Sequence, residues 1–128
     1  MKKGEIWYAD LEPTFGYEQA GERPVIIFQN DLINRIAPTV IAIPLTTNFK
    51  QGNKKTCVKL SIEETGLISE SVALCHQIRI LDKRRLDRQV GKLSKQALSK
   101  VEKCVFFTLG FSTLLSIMSI LGLWYWLA

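Results

Sequence analysis

The sequence predicts a mainly β fold, a small and strongly curved antiparallel barrel followed by one C-terminal helix, and three observations predict it. Five or six runs of strand length, rich in Val, Ile and aromatic residues, are punctuated by Gly, Pro, Asn and Asp. Only the stretch after Ser94 places apolar residues at helical spacing. A sheet this small, in a chain of 128 residues, must curl to hide its edges. The helix runs on into an apolar extension.

Ile6 to Ala9 and Val25 to Phe28 are the first two strands. The connection between them, containing Glu12, Pro13, Gly16, Tyr17, Glu18, Gln19, Gly21, Glu22 and Arg23, is too long for a tight hairpin. Loops of that length in a compact domain are functional or mobile, and this one delivers Arg23-Pro24 to the mouth of a buried strand. Leu32 to Arg35 reads as a turn or helical turn. Thr39 to Leu45 is a near-continuous apolar run, as expected of a strand covered on both faces, and Thr46-Thr47-Asn48 closes it with hydroxyls and an amide. Phe49 to Lys55 reads as an exposed basic loop, open to phosphate contact or simply a solvated tip.

Cys57 to Ile62 alternates as a strand and Glu63 to Gly66 as a turn. Ser71 to Ile80 is a further long strand, Asp82 to Arg88 a basic surface turn, and Gln89 to Leu93 a last short strand. Ser94 is a suitable helix N-cap, followed at helical spacing by Ala97, Leu98, Val101, Cys104, Val105, Thr108 and Leu109 on the apolar face, with Lys95, Lys100, Glu102 and Lys103 on the other.

A hydrophobic fraction of 47% fits one globular domain, taken as residues 1–110, with 111–128 as the extension. Lys and Arg exceed Asp and Glu by 17 − 12 = 5, and every charge lies before Cys104, so the domain suits a polyanion such as RNA or an acidic protein segment. Cys57, Cys75 and Cys104 are odd in number and lack C-x-x-C spacing, which speaks for small buried hydrophobes in a reducing cytosol. One His and no clustered carboxylate motif argue against a metal site, and His76, within a strand-like run, has no nucleophile elbow near it.

Gly4-Glu5-Ile6-Trp7, Asp10-Leu11-x-Pro13, Gly16-x-Glu18-Gln19-x-Gly21-x-Arg23-Pro24-Val25 and Gln29-Asn30-Asp31 together resemble the start of MazF/PemK-type toxins of bacterial type II toxin–antitoxin pairs. Asn34-Arg35, Pro38-Thr39, Pro44-Leu45-Thr46-Thr47, Gln77-Ile78-Arg79 and Asp82-Lys83 extend the resemblance to about residues 3–110. It implies an SH3-like barrel of the CcdB/PemK type, usually a symmetric homodimer. It also implies a cytoplasmic, metal-independent and cofactor-free endoribonuclease that cuts single-stranded mRNA at specific sequences, leaves 2′,3′-cyclic phosphate and 5′-hydroxyl ends, and so stops translation and growth. Arg23 and Thr46 are the catalytic pair so implied, with Gly16, Tyr17, Glu18, Gln19, Asn30, Thr47 and Gln77 as RNA-binding residues. The partner implied is an antitoxin whose acidic, disordered tail covers the basic groove.

The residue types suit that chemistry. RNA needs no metal to be cut, because its 2′-hydroxyl attacks the adjacent phosphate once the backbone is held in line and the added charge is stabilised. A guanidinium forks onto two phosphate oxygens and keeps its proton, so Arg23 suits a stabiliser better than a base. Tyr17, Glu18, Gln19 and Gln77 offer a stacking face, an acceptor and amides to unpaired bases. Taken without the resemblance, Arg23 equally fits an ion pair with Glu18 or Glu22, and Thr46 a strand-end hydroxyl. Two rival functions share the scaffold: a non-enzymatic poison of DNA gyrase, and a catalytically silent module tethered to the inner face of the plasma membrane.

The tether would be the uncharged tail. As a helix, Cys104 to Ala128 would be about 37 Å long and the part from Phe111 about 27 Å, against a bilayer core of roughly 30 Å. Trp124, Tyr125 and Trp126 would form its interfacial belt. A tail packed on the barrel or the dimer, or a replaced C-terminus, accounts for the same residues.

Overall fold

The computed structural model describes residues 1–111 and Gly122. Seven antiparallel strands form one curved sheet: β1 (Glu5–Asp10), β2 (Glu22–Ile27), β3 (Thr39–Thr46), β4 (Cys57–Leu60), β5 (Ser71–Leu74), β6 (Arg79–Asp82) and β7 (Leu86–Lys92). Their order is β4-β5-β3-β2-β1-β7, with β6 paired to β3 beside β5. Two one-turn helices, α1 (Asp31–Asn34) and α2 (Ile62–Thr65), and a long terminal helix, α3 (Lys95–Leu109), complete the domain.

Period-2 alternation divides the core. Ile6, Ile26, Ile43 and Leu45 face α3 and pack with its Ala97, Val101, Cys104 and Val105. Val25 and Ile27 belong to a second cluster with Ala9, Leu11, Val40, Ala42 and Leu81. Ser94 caps α3 by accepting from the Ala97 N–H at 3.1 Å, and Gly110, at φ +87°, ends it in the left-handed conformation. Cys57, Cys75 and Cys104 are buried free thiols, and burial pushes that of Cys75 well above the ordinary range.

Five expectations need correction. Arg23 lies inside β2, which begins at Glu22 and not at Val25 where the apolar run starts. The strand expected from Ser71 to Ile80 is two strands broken by a 3₁₀ turn at Cys75–Gln77, because β3 pairs with β5 through Leu45 and Thr46 but with β6 through Thr39 to Ala42. His76 therefore sits on that turn, its Nδ1 3.2 Å from Thr56 Oγ1. The basic turn is confined to Lys83–Arg85, and β7 starts at Leu86 to reach the β1 ladder. Asp82 makes that turn: it accepts from the Arg84 N–H at 2.9 Å and pairs with the Arg84 guanidinium, which together hold its carboxyl down at about 2. Finally, Glu63 and Glu64 lie in α2, closed by a Ser61–Glu64 capping box and by Gly66 at φ +74°, and Phe49–Asn53 is a 3₁₀ turn capped by Asn48.

Among the described residues no helix is long and apolar enough to cross a membrane. The readings of the tail fall on residues outside that set, Phe111 and Gly122 apart.

Gly91, opposite Ile6 in the β1–β7 ladder, is packed beneath α2: a Cβ there would strike the Thr65 carbonyl oxygen and crowd Leu67. Gly91→Ala should cost about 1–3 kcal/mol, read as a lower urea midpoint at unchanged slope. An unchanged midpoint would show that α2 can shift freely on the sheet.

Candidate active site

β2 and β3 pair with the register Val25↔Pro44, Ile26↔Ile43 and Ile27↔Ala42. Continued by two residues, that register sets Arg23 opposite Thr46, on the same side of the sheet as Val25 and Pro44. Both side chains line a cavity of about 130 Å³ with Tyr8, Glu22, Pro24, Leu45, Thr47 and Ser71. The cavity has room for a single phosphodiester group.

Thr46 is buried at the end of β3, and its Oγ1 accepts from the Asn48 N–H at 3.2 Å. That bond occupies a lone pair and leaves the hydroxyl hydrogen to donate into the cavity. Arg23 is half-buried, and among the described residues it pairs with no carboxylate, although Glu22 lines the same cavity. Its Nε donates to the Ala20 carbonyl at 2.6 Å. The Gln19 amide lies against the face of the guanidinium, one of its terminal atoms 2.6 Å from Nε, 2.8 Å from Nη1 and 3.0 Å from Nη2. The cation is thus placed by neutral groups, with its charge left for an anion.

The loop that supplies those acceptors is tied down along its length. Leu11 N–H donates to the Gly21 carbonyl at 3.0 Å, and the Glu12 carboxylate accepts from the N–H groups of Gly21 at 3.0 Å and Thr14 at 3.2 Å. Glu18 accepts from the Phe15 N–H at 2.5 Å. Gln77 clips the far side, its Oε1 accepting from the Gln19 N–H at 2.9 Å and its Nε2 donating to the Tyr17 carbonyl at 3.1 Å. Arg79 donates to the Leu11 carbonyl, and Arg85 to those of Asp10 and Glu12. Gly16, at φ +60°, makes the bend that leaves Phe15 and Tyr17 fully presented to solvent.

The structure therefore gathers Arg23, Thr46 and Thr47 at one cavity, with Gln19 on the guanidinium, and Gly16, Tyr17, Glu18 and Gln77 in the adjoining loop. Asn30 is not with them. It caps α1, accepting from the Leu32 N–H at 2.8 Å, beside Lys3, Phe28 and Glu102. Seven residues separate it from Arg23 along β2 and its extension, roughly 23 Å of extended chain. Tyr8, Ser71 and Phe15 were not expected at the site. For Phe15 the signal was available, a second aromatic beside Tyr17 in a polar loop, whereas Tyr8 and Ser71 arrive only through strand pairing.

Residues 2–107 match the family described as PemK-like, MazF-like toxin of type II toxin–antitoxin systems. The endoribonuclease EndoA of Bacillus subtilis is 36% identical over 109 residues, covering 85% of this chain and 94% of the relative. The endoribonuclease MazF of Staphylococcus saprophyticus is 38% identical over 116 residues, covering 91% and 97%. Among solved structures, MazF from Deinococcus radiodurans superposes with a TM-score of 0.75 at 25% identity, over 86% of this chain and 96% of that one. An endoribonuclease in complex with its cognate antitoxin, from a mycobacterial species, gives 0.70 at 24% identity, over 86% and 95%.

Gln77→Ala removes two bonds that hold the loop while leaving the sheet intact. Amide exchange at Gln19 should then accelerate about tenfold, with Ile26 in the core unaffected. Equal exchange in both proteins would mean that the Gln77 clip carries no load.

Proposed function

The chain belongs to the PemK-like, MazF-like toxins of type II toxin–antitoxin systems, and from that premise we propose how it works as an endoribonuclease. It cuts single-stranded mRNA in the cytoplasm, at specific sequences and without a metal, through Arg23 and Thr46. The endoribonuclease activity itself follows from the family and from two relatives of that name at 36% and 38% identity. One observation supports the rest: among the described residues, a guanidinium with neutral partners and a hydroxyl with its hydrogen unspent meet at one cavity.

A phosphodiester in that cavity takes the Arg23 fork and the Thr46 hydroxyl as its donors. Both strengthen as charge builds on the phosphorane-like transition state. The 2′-oxygen bonds to phosphorus and its proton passes to water. The bond to the 5′-oxygen breaks, and that oxygen takes a proton from water while the Arg23 charge stabilises it. The products are a 2′,3′-cyclic phosphate and a 5′-hydroxyl. Phe15 and Tyr17 offer ring faces to the neighbouring bases, and Glu18 and Gln19 offer polar groups.

The partner is an antitoxin with an acidic, disordered tail, which folds onto the same basic surface and competes with RNA for it. Complexes of endoribonuclease and MazF proteins with their antitoxins are among the structural neighbours. The working unit is a homodimer. Leu32, Ile33 and Ile36 in and after α1, and Ile80 on β6, are exposed apolar side chains that a second copy would cover.

Discrete cuts in a long single-stranded RNA should persist in EDTA. Arg23→Ala and Thr46→Ala should each lower the rate by about 10²–10³, the usual loss for one transition-state donor. Cleavage undiminished in Arg23→Ala would overturn the assignment.

A further inference from the structure

We propose that a groove running off the catalytic cavity is a subsite for one unpaired nucleobase, that of a nucleotide flanking the cut phosphate. This rests on the endoribonuclease reading and adds a binding site to it. The groove measures about 390 Å³ and is continuous with the cavity, for the two share Tyr8, Pro24, Thr47 and Ser71. Its remaining walls are Gly66 to Ser69, which follow α2, together with Arg88 and Val90 of β7.

Three features suit a base. The first is an aromatic ring with a cation on its face: the Arg88 guanidinium carbon lies 5.0 Å from the centroid of the Tyr8 ring, and its Nη1 donates to Asp87 Oδ2 at 2.5 Å. Arg88 is 63% exposed, so its guanidinium can be reached by a base. The second is an apolar side wall, in which Ile68 stands almost wholly in solvent beside a catalytic cleft. The third is continuity. A chain whose phosphate is held at Arg23 and Thr46 carries a base one ribose away on each side, and the groove begins at the four residues it shares with the cavity. Thr47 and Ser69 supply hydroxyls for the base edge.

The test uses the full chain and a short single-stranded RNA spanning a mapped cut. The attacking nucleotide is 2′-deoxy so that the RNA binds uncut, and 2-aminopurine stands on one side or the other of the scissile phosphate. For one of the two positions the fluorescence should be quenched on binding. Arg88→Lys, which keeps the charge and loses the plane, and Ile68→Asp should abolish that quenching and weaken binding about tenfold. An abasic residue at the same position should weaken wild-type binding by a similar factor and binding to Arg88→Lys hardly at all. Quenching retained in both variants, or equal abasic penalties in all proteins, would overturn the subsite. Should the wild type cut no RNA, the nuclease reading falls separately, and the same probe with randomised flanks still reports whether a base enters the groove.

Discussion

The register of the β2–β3 ladder is the constraint on which the rest depends. Pairing Val25 with Pro44 sets the guanidinium of Arg23 and the hydroxyl of Thr46 across from one another. A slip of β2 by one residue would turn that strand over, exchanging Val25 and Ile27 with Ile26 between the two core clusters and carrying Arg23 into the face that packs on α3. The hydrophobic alternation that stabilises the barrel therefore also fixes how Arg23 and Thr46 face one another. Pro44 stands where β3 leaves β6 for β5, between Ala42 and Leu45, so the missing N–H falls where the ladder changes partner.

Around that fixed pair the long β1–β2 connection behaves as a built element. Glu12 braces its base, Glu18 its tip and Gln77 its flank, and the resulting position of Gln19 and the Ala20 carbonyl aims Arg23 before any ligand arrives. Placement by neutral groups has a consequence for affinity. A carboxylate partner would neutralise the guanidinium and would have to be displaced by any incoming anion, whereas neutral partners leave its charge available. Glu22, two residues after Ala20, lines the cavity without taking that role.

Much of this was legible in the sequence because the signals are local. The alternation in Ile6 to Ala9, the apolar run from Thr39 to Leu45, the Ser94 cap and the spacing of Ala97, Val101 and Val105 each follow from short-range periodicity, and the structure has them. Ser71 to Ile80 misled for the same reason: every residue in it suits a strand, and the break at Cys75 is imposed by the two partners of β3. Likewise Asp82 to Arg88 carries too little apolar content to announce a strand, yet Leu86 is recruited by β1. At the site, Arg23, Thr46 and Gln19 were visible as residue types at loop and strand ends. Their convergence with Tyr8, Ser71 and Ile68 was not, because it arises from register between strands far apart in the chain. Asn30, adjacent in motif to the others, is set apart by the extended geometry of β2 itself.

The chemistry of the cut ends tests the central claim most directly. Attack by the substrate's own 2′-hydroxyl, assisted only by Arg23 and Thr46, requires every upstream fragment to end in a 2′,3′-cyclic phosphate and every downstream fragment to begin with a 5′-hydroxyl, which mass spectrometry of the fragments reads. A single 2′-deoxy nucleotide at the cut must then block it. Fragments bearing a 3′-hydroxyl and a 5′-phosphate, or undiminished cleavage beside a 2′-deoxy nucleotide, would mean that water attacks the phosphorus and would contradict the account.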